Sequence, residues 1–155
     1  MIRILAVATA LSLCAACSPS ETPSVETSET AVVLSYTDAF VMEPIGGRDM
    51  TMGGVSLSVE GGNVTLLSAE SDAFGAMELH TMAMVDDRMQ MRKVDSFEIS
   101  AGETLELKRG GNHLMMFDVS EDVVSGESVD ITLTFDASGT EQTLVIEADV
   151  RAVGE

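Results

Sequence analysis

The chain has 155 residues, room for one domain of ordinary size, and a formal net charge of −18. That acidity excludes nucleic acid as a partner, since phosphate binding needs a basic patch, and describes a solvated acidic surface instead. With no Trp, one Tyr and five Phe, the core has to be built from Val, Leu, Ile and Met.

Residues 1–16 read as an export leader. Arg3 gives a short positive start, and Ile4 to Ala16 is an apolar run too short to span a membrane permanently. Leu13-Cys14-Ala15-Ala16-Cys17 resembles a bacterial lipobox with Cys17 as the lipidated residue. Cys14 stands where Leu is usual, and ordinary cleavage near Ala16 is the alternative. Both cysteines lie here, which leaves the mature domain without a thiol pair or a disulfide. A thiol redox enzyme is thereby excluded, and so is a blue-copper electron carrier, whose site requires a Cys thiolate.

Residues 17–30 follow as the anchored Cys and a Ser/Thr/Glu/Pro-rich tether expected to be disordered. Its thirteen residues after Cys17 span roughly 40 Å when extended. From 31 to 155 the signals are those of short strands. Ala31 to Tyr36 opens the domain, Gly53 to Val59 alternates, and Gly61-Gly62 turns the chain into Val64 to Leu67. Met77 to Val85 and Met89 to Val94 flank Asp86-Asp87, a two-residue hairpin turn. Thr104 to Lys108 and His113 to Val119 are read as a second hairpin over Arg109-Gly110-Gly111-Asn112. Asp130 to Phe135 and Thr143 to Ala148 make a last one over Ala137-Ser138-Gly139. Seven to nine strands at this spacing predict an all-β sandwich or small barrel.

The stretch from Met77 to Phe117 holds seven of the eleven methionines and both histidines. Thioethers and imidazoles gathered this way suit a soft, thiophilic ion, copper(I) above all. Period-two alternation puts His80, Met82, Met84, Met89 and Met91 on one face of the first hairpin, with His80 diagonal to Met91. His113 and Met115 share a face and Met116 takes the other. Bringing the two hairpins together completes a set of His80, Met91, His113 and Met115, a step the fold has to supply. Met82, Met84, Met89 and Met116 are read as packing or site wall, because methionine is a common core filler.

The spacing His80-x10-Met91-x21-His113-x-Met115 resembles the motif of the PCu(A)C family of periplasmic copper chaperones. The words Glu78-Leu79-His80-Thr81-Met82, Met89-Gln90-Met91-Arg92 and Gly110-Gly111-Asn112-His113-Leu114-Met115 are similar to that family too. The likeness runs from about Val33 to Ala148. It implies a cupredoxin-like β-fold binding one Cu(I) near its surface. It also implies delivery toward the CuA centre of cytochrome oxidase, the recipient being an apo oxidase subunit or a Sco-type thiol copper protein. Two departures stand out. The segment from Val41 to Thr51 lacks the usual Pro-rich opening, with extra methionines at Met50 and Met52, and no His/Met-rich tail follows Val150. A second, Cu(II)-type site is therefore not expected.

A periplasmic, lipid-anchored copper chaperone, monomeric and not an enzyme, is the reading these residues support. A copper buffer or resistance protein without a dedicated recipient is its competitor. No Ser/His/Asp set is suggested for an enzyme, and neither histidine shows a carboxylate orienter in the sequence.

Overall fold

The computed structural model describes residues 31–154, so the leader, Cys17 and the 18–30 tether lie outside the described residues. Ten strands run in chain order as β1 (Val33–Met42), β2 (Met50–Glu60), β3 (Val64–Glu70), β4 (Phe74–Val85) and β5 (Arg88–Lys93). They continue as β6 (Phe97–Ile99), β7 (Thr104–Leu107), β8 (His113–Val119), β9 (Ser128–Ala137) and β10 (Thr140–Arg151). Helical structure among the described residues is one 3₁₀ turn, Ile45–Gly47, between β1 and β2.

The strands hydrogen-bond in the order β5-β4-β8-β2-β1-β10-β9-β3-β6, with β7 also on β2. The sheet curls so that β3 packs against β4, but it does not close into a barrel. The all-β prediction holds, as one ten-stranded open sheet and not a closed barrel. Alternation explains its core. Val55, Leu57 and Val59 of β2 and Ile131, Leu133 and Phe135 of β9 each turn every second side chain inward, all buried in one cluster.

Two turns follow the predicted chemistry. Val85 pairs Arg88 across Asp86-Asp87, whose φ angles are 48° and 61°, the left-handed pair that a tight hairpin turn needs. Ala137 pairs Thr140 across Ser138-Gly139 in the same way.

The predicted hairpin of β7 and β8 is not a hairpin. Both strands run antiparallel to β2 and follow one another along it, β7 on Val55 to Ser58 and β8 on Met50 to Gly53. Residues 108–112 are an excursion in one interrupted strand. Gly54 sits where that interruption presses on β2, and a Cβ there would strike the Leu107 carbonyl. Pairing with a long central strand outweighed the local turn signal of Gly110-Gly111. β6 was not predicted at all, and β2 begins at Met50 rather than Gly53.

Candidate metal centre

The pairing of β4 with β8 supplies the step that the sequence left open. His80 stands directly opposite His113, the last residue pair of that ladder. Their ring centroids are 5.8 Å apart, with the planes tilted by 48°. Leu79, Leu114 and Met116 point into the core, so His80, His113 and Met115 occupy the opposite, outer face of the sheet. His113 is nevertheless 3% exposed.

Each ring has one nitrogen committed. His80 Nε2 lies 2.8 Å from Glu78 Oε2, and Glu78 Oε1 accepts from Lys93 Nζ at 2.8 Å. Lys93 first, and His80 second, hold the Glu78 carboxyl below the usual range, so it is ionised and can only accept. In the neutral ring Nε2 of His80 therefore carries the proton and Nδ1 the lone pair. That Nδ1 is buried and, among the described residues, has no hydrogen-bond partner. His113 is committed the other way round, since its Nδ1–H donates to the Gly111 carbonyl at 2.8 Å and Nε2 is left as the basic nitrogen. A buried acceptor without a partner costs about 1–3 kcal/mol. A soft cation satisfies it, which is how the residues present fit copper(I).

The methionines fall in register around this pair. Met115 is opposite Glu78 on β4 and opposite Met52 on β2. Met91 pairs Met82, and His80 pairs Lys93, so Met91 is the diagonal neighbour of His80 as predicted. The β5-β4-β8 surface thus brings His80, Met91, His113 and Met115 to one face. Among the described residues there is no group of three or more His, Cys, Asp and Glu placed to hold a metal.

Three features escaped the sequence. Glu78 is a carboxylate orienter for His80, contrary to expectation, and it sits two residues before it on the same strand face. Period-two alternation was the signal that could have found it. Thr81 Oγ1 donates to Asn112 Oδ1 at 2.7 Å, tying the 108–112 excursion to β4 just before His113. Met84 and Met89, read as packing or site wall, are 66% and 53% exposed, whereas Met116 is a true core residue at 0%. The extra methionines also have places. Met52 lies beside Met115 and lines a small hollow with Met42, Ile45, Arg109 and Val153, while Met50 is exposed opposite Phe117.

Residues 34–147 match a family model described as "Putative lipoprotein LpqE-like". The chain belongs to this LpqE-like family. The match bears out the resemblance to PCu(A)C proteins, as do solved structures with the same fold. The LpqE-like chain is 28% identical over 95 residues to "Putative lipoprotein Lxx21020" of Leifsonia xyli subsp. xyli, a stretch covering 61% of this chain and 57% of that one. It thus spans under two thirds of that curated relative. A copper-bound PCuAC domain from PmoF2 superposes with a TM-score of 0.62 at 19% identity, covering 79% of this chain and 96% of that domain. The Cu(I) form of DR1885 from Deinococcus radiodurans gives a TM-score of 0.57 at 25% identity, covering 79% of each chain.

Proposed function

We propose that the LpqE-like chain is a copper(I) chaperone, holding one ion through His80, Met91, His113 and Met115 and passing it to a thiol acceptor. The observation that carries this reading is the buried, unpartnered Nδ1 of His80 directly across from His113. The copper-bound PmoF2 domain and the Cu(I) form of DR1885, which share the fold, support it.

Copper(I) is cargo here, a soft monovalent ion that prefers thioether and imidazole donors. Glu78 fixes the His80 ring so that Nδ1 faces its task unprotonated, and the Gly111 carbonyl does the same for His113 through the opposite nitrogen. Met91 and Met115 add sulfur without charge. All four donors are neutral, so the ion keeps its single positive charge and a thiolate site can draw it away. Thioethers also escape the disulfide trapping that disables thiolates in an oxidising compartment. Delivery toward the CuA centre of cytochrome oxidase, directly or through a Sco-type thiol protein, is the destination we favour. The anchor in this proposal is a lipid on Cys17 at the periplasmic membrane face, with 18–30 as tether.

The test is transfer. Chain loaded with one equivalent of Cu(I) is mixed with an apo, reduced Sco-type protein, the two are separated, and copper is measured in each. Copper recovered on the acceptor supports a chaperone. Copper retained by the LpqE-like chain would instead favour a buffer.

A further inference from the structure

Four methionines of the β4–β5 ribbon form two rungs on one face. Met82 is opposite Met91, and Met84 is opposite Met89. Beyond His80, β4 has left β8 and pairs only β5, so both rungs lie on a two-stranded ribbon that runs on past the histidine pair. Met84, Met89 and Met91 are 66%, 53% and 49% exposed. Residues packed as core filler are not exposed to this degree, and large apolar side chains gathered in the open mark a site of interaction.

We propose that this ribbon is a second copper(I) site made only of thioethers, with Met82, Met84 and Met89 as its own donors and Met91 shared with the first. It rests on the copper(I) reading above. Directly opposed Cβ atoms in an antiparallel pair are about 4.5–5.5 Å apart. Successive rungs lie about 7 Å apart along the strand. The unbranched methionine side chain, with three rotatable bonds, lets sulfurs from both rungs converge on one ion. Soft sulfur without oxygen or nitrogen selects Cu(I) over magnesium or calcium.

Sharing Met91 makes the two sites steps of one path. An ion held at the root by Met91 and the histidines moves outward when a Cu–N bond to imidazole breaks as a Cu–S bond to Met82 or Met84 forms. Neutral sulfur replaces neutral nitrogen, so copper stays Cu(I), no proton or electron moves, and the imidazole recovers its lone pair. The tip is then where an acceptor meets the ion.

The experiment is a titration of the intact chain, methyl-labelled with ¹³C at methionine, with Cu(I) kept reduced under anaerobic conditions. The first equivalent shifts the Met91 and Met115 methyls, and the second shifts those of Met84 and Met89. A Met84→Ile/Met89→Ile variant keeps the first step within about threefold of the wild-type affinity and loses the second. The same loss is expected of Met84→Leu/Met89→Leu, which guards against a packing defect. His80→Ala/His113→Ala loses the tight step yet retains the Met84 and Met89 shifts. Methyls of Met84 and Met89 that stay put through three equivalents would overturn the ribbon site, as would a double variant that still takes two ions. Failure of the central reading looks different: the first equivalent then leaves the His80 and His113 ring signals unmoved.

Discussion

His80 and His113 face each other across β4 and β8 in opposite tautomers, one protonated on Nε2 by its bond to Glu78 and the other on Nδ1 by its bond to the Gly111 carbonyl. The two lone pairs left over therefore belong to different ring atoms. Long-range ¹⁵N–¹H spectra of the metal-free chain at mildly alkaline pH read this directly. His80 is expected to show an Nε2–H pattern and His113 an Nδ1–H pattern. In a Glu78→Ala variant His80 loses its fixed tautomer, and Cu(I) affinity falls by about 10–100-fold while His113 keeps its pattern. The same tautomer in both rings of the wild type would remove Glu78 from its positioning role.

Glu78 carries a pH signature of its own. Lys93, then His80, lower its pKa from the usual 4.5 through hydrogen bonds to the carboxylate. A depressed folded-state pKa gives stability that is present above the unfolded value and lost as pH falls through the folded one. The window thus lies below about 4.5. Carboxyl ¹³C titration should place the wild-type Glu78 midpoint below that value, and Lys93→Ala should raise it. An unchanged midpoint in the variant would mean that the Lys93 contact does not hold in solution.

Met115 and Met116 are neighbours on opposite faces of β8. Met116 is fully buried in the core, so Met116→Ala should cost about 2–5 kcal/mol of stability in denaturant unfolding. Met115 lies on the outer face, and Met115→Ile, close to it in volume, should cost under about 1.5 kcal/mol. Competition against a Cu(I) chelator should rank them the other way, with Met115→Ile weakening binding at least about tenfold. Equal copper affinity in wild type and Met115→Ile would take Met115 out of the donor set.

Anchoring rests on Ala15-Ala16-Cys17. Metabolic labelling with a fatty-acid analogue should mark the wild type in the membrane fraction and leave Cys17→Ser unmarked. An unlabelled wild type released from the cells would replace the anchor by ordinary cleavage near Ala16.

Much of this was legible because strands alternate. The β4–β5 hairpin, its Asp86-Asp87 turn and the shared face of His80 and Met91 all follow from period two and a two-residue loop. What local pattern cannot carry is pairing between distant segments. β7 and β8 read as a hairpin because Gly110-Gly111 is a turn signal, yet both are held by β2, 46 to 67 residues earlier in the paired positions. The His80–His113 pair arises from such a pairing as well, so the sequence offered the candidate donors and not their meeting. Glu78 becomes legible only when period two is applied around His80, since residues 78 and 80 share a strand face. Met84 and Met89 read as packing or site wall because hydrophobicity alone does not say which face is wet.

X-ray absorption at the copper edge, on the intact chain loaded with one equivalent of Cu(I), tests the central claim most directly. The account predicts a mixed shell of imidazole nitrogen and thioether sulfur. The sulfur contribution should drop in Met91→Ile and Met115→Ile, and the imidazole signature should drop in His80→Ala and His113→Ala. A shell of nitrogen and oxygen alone, unchanged by either methionine substitution, would contradict it.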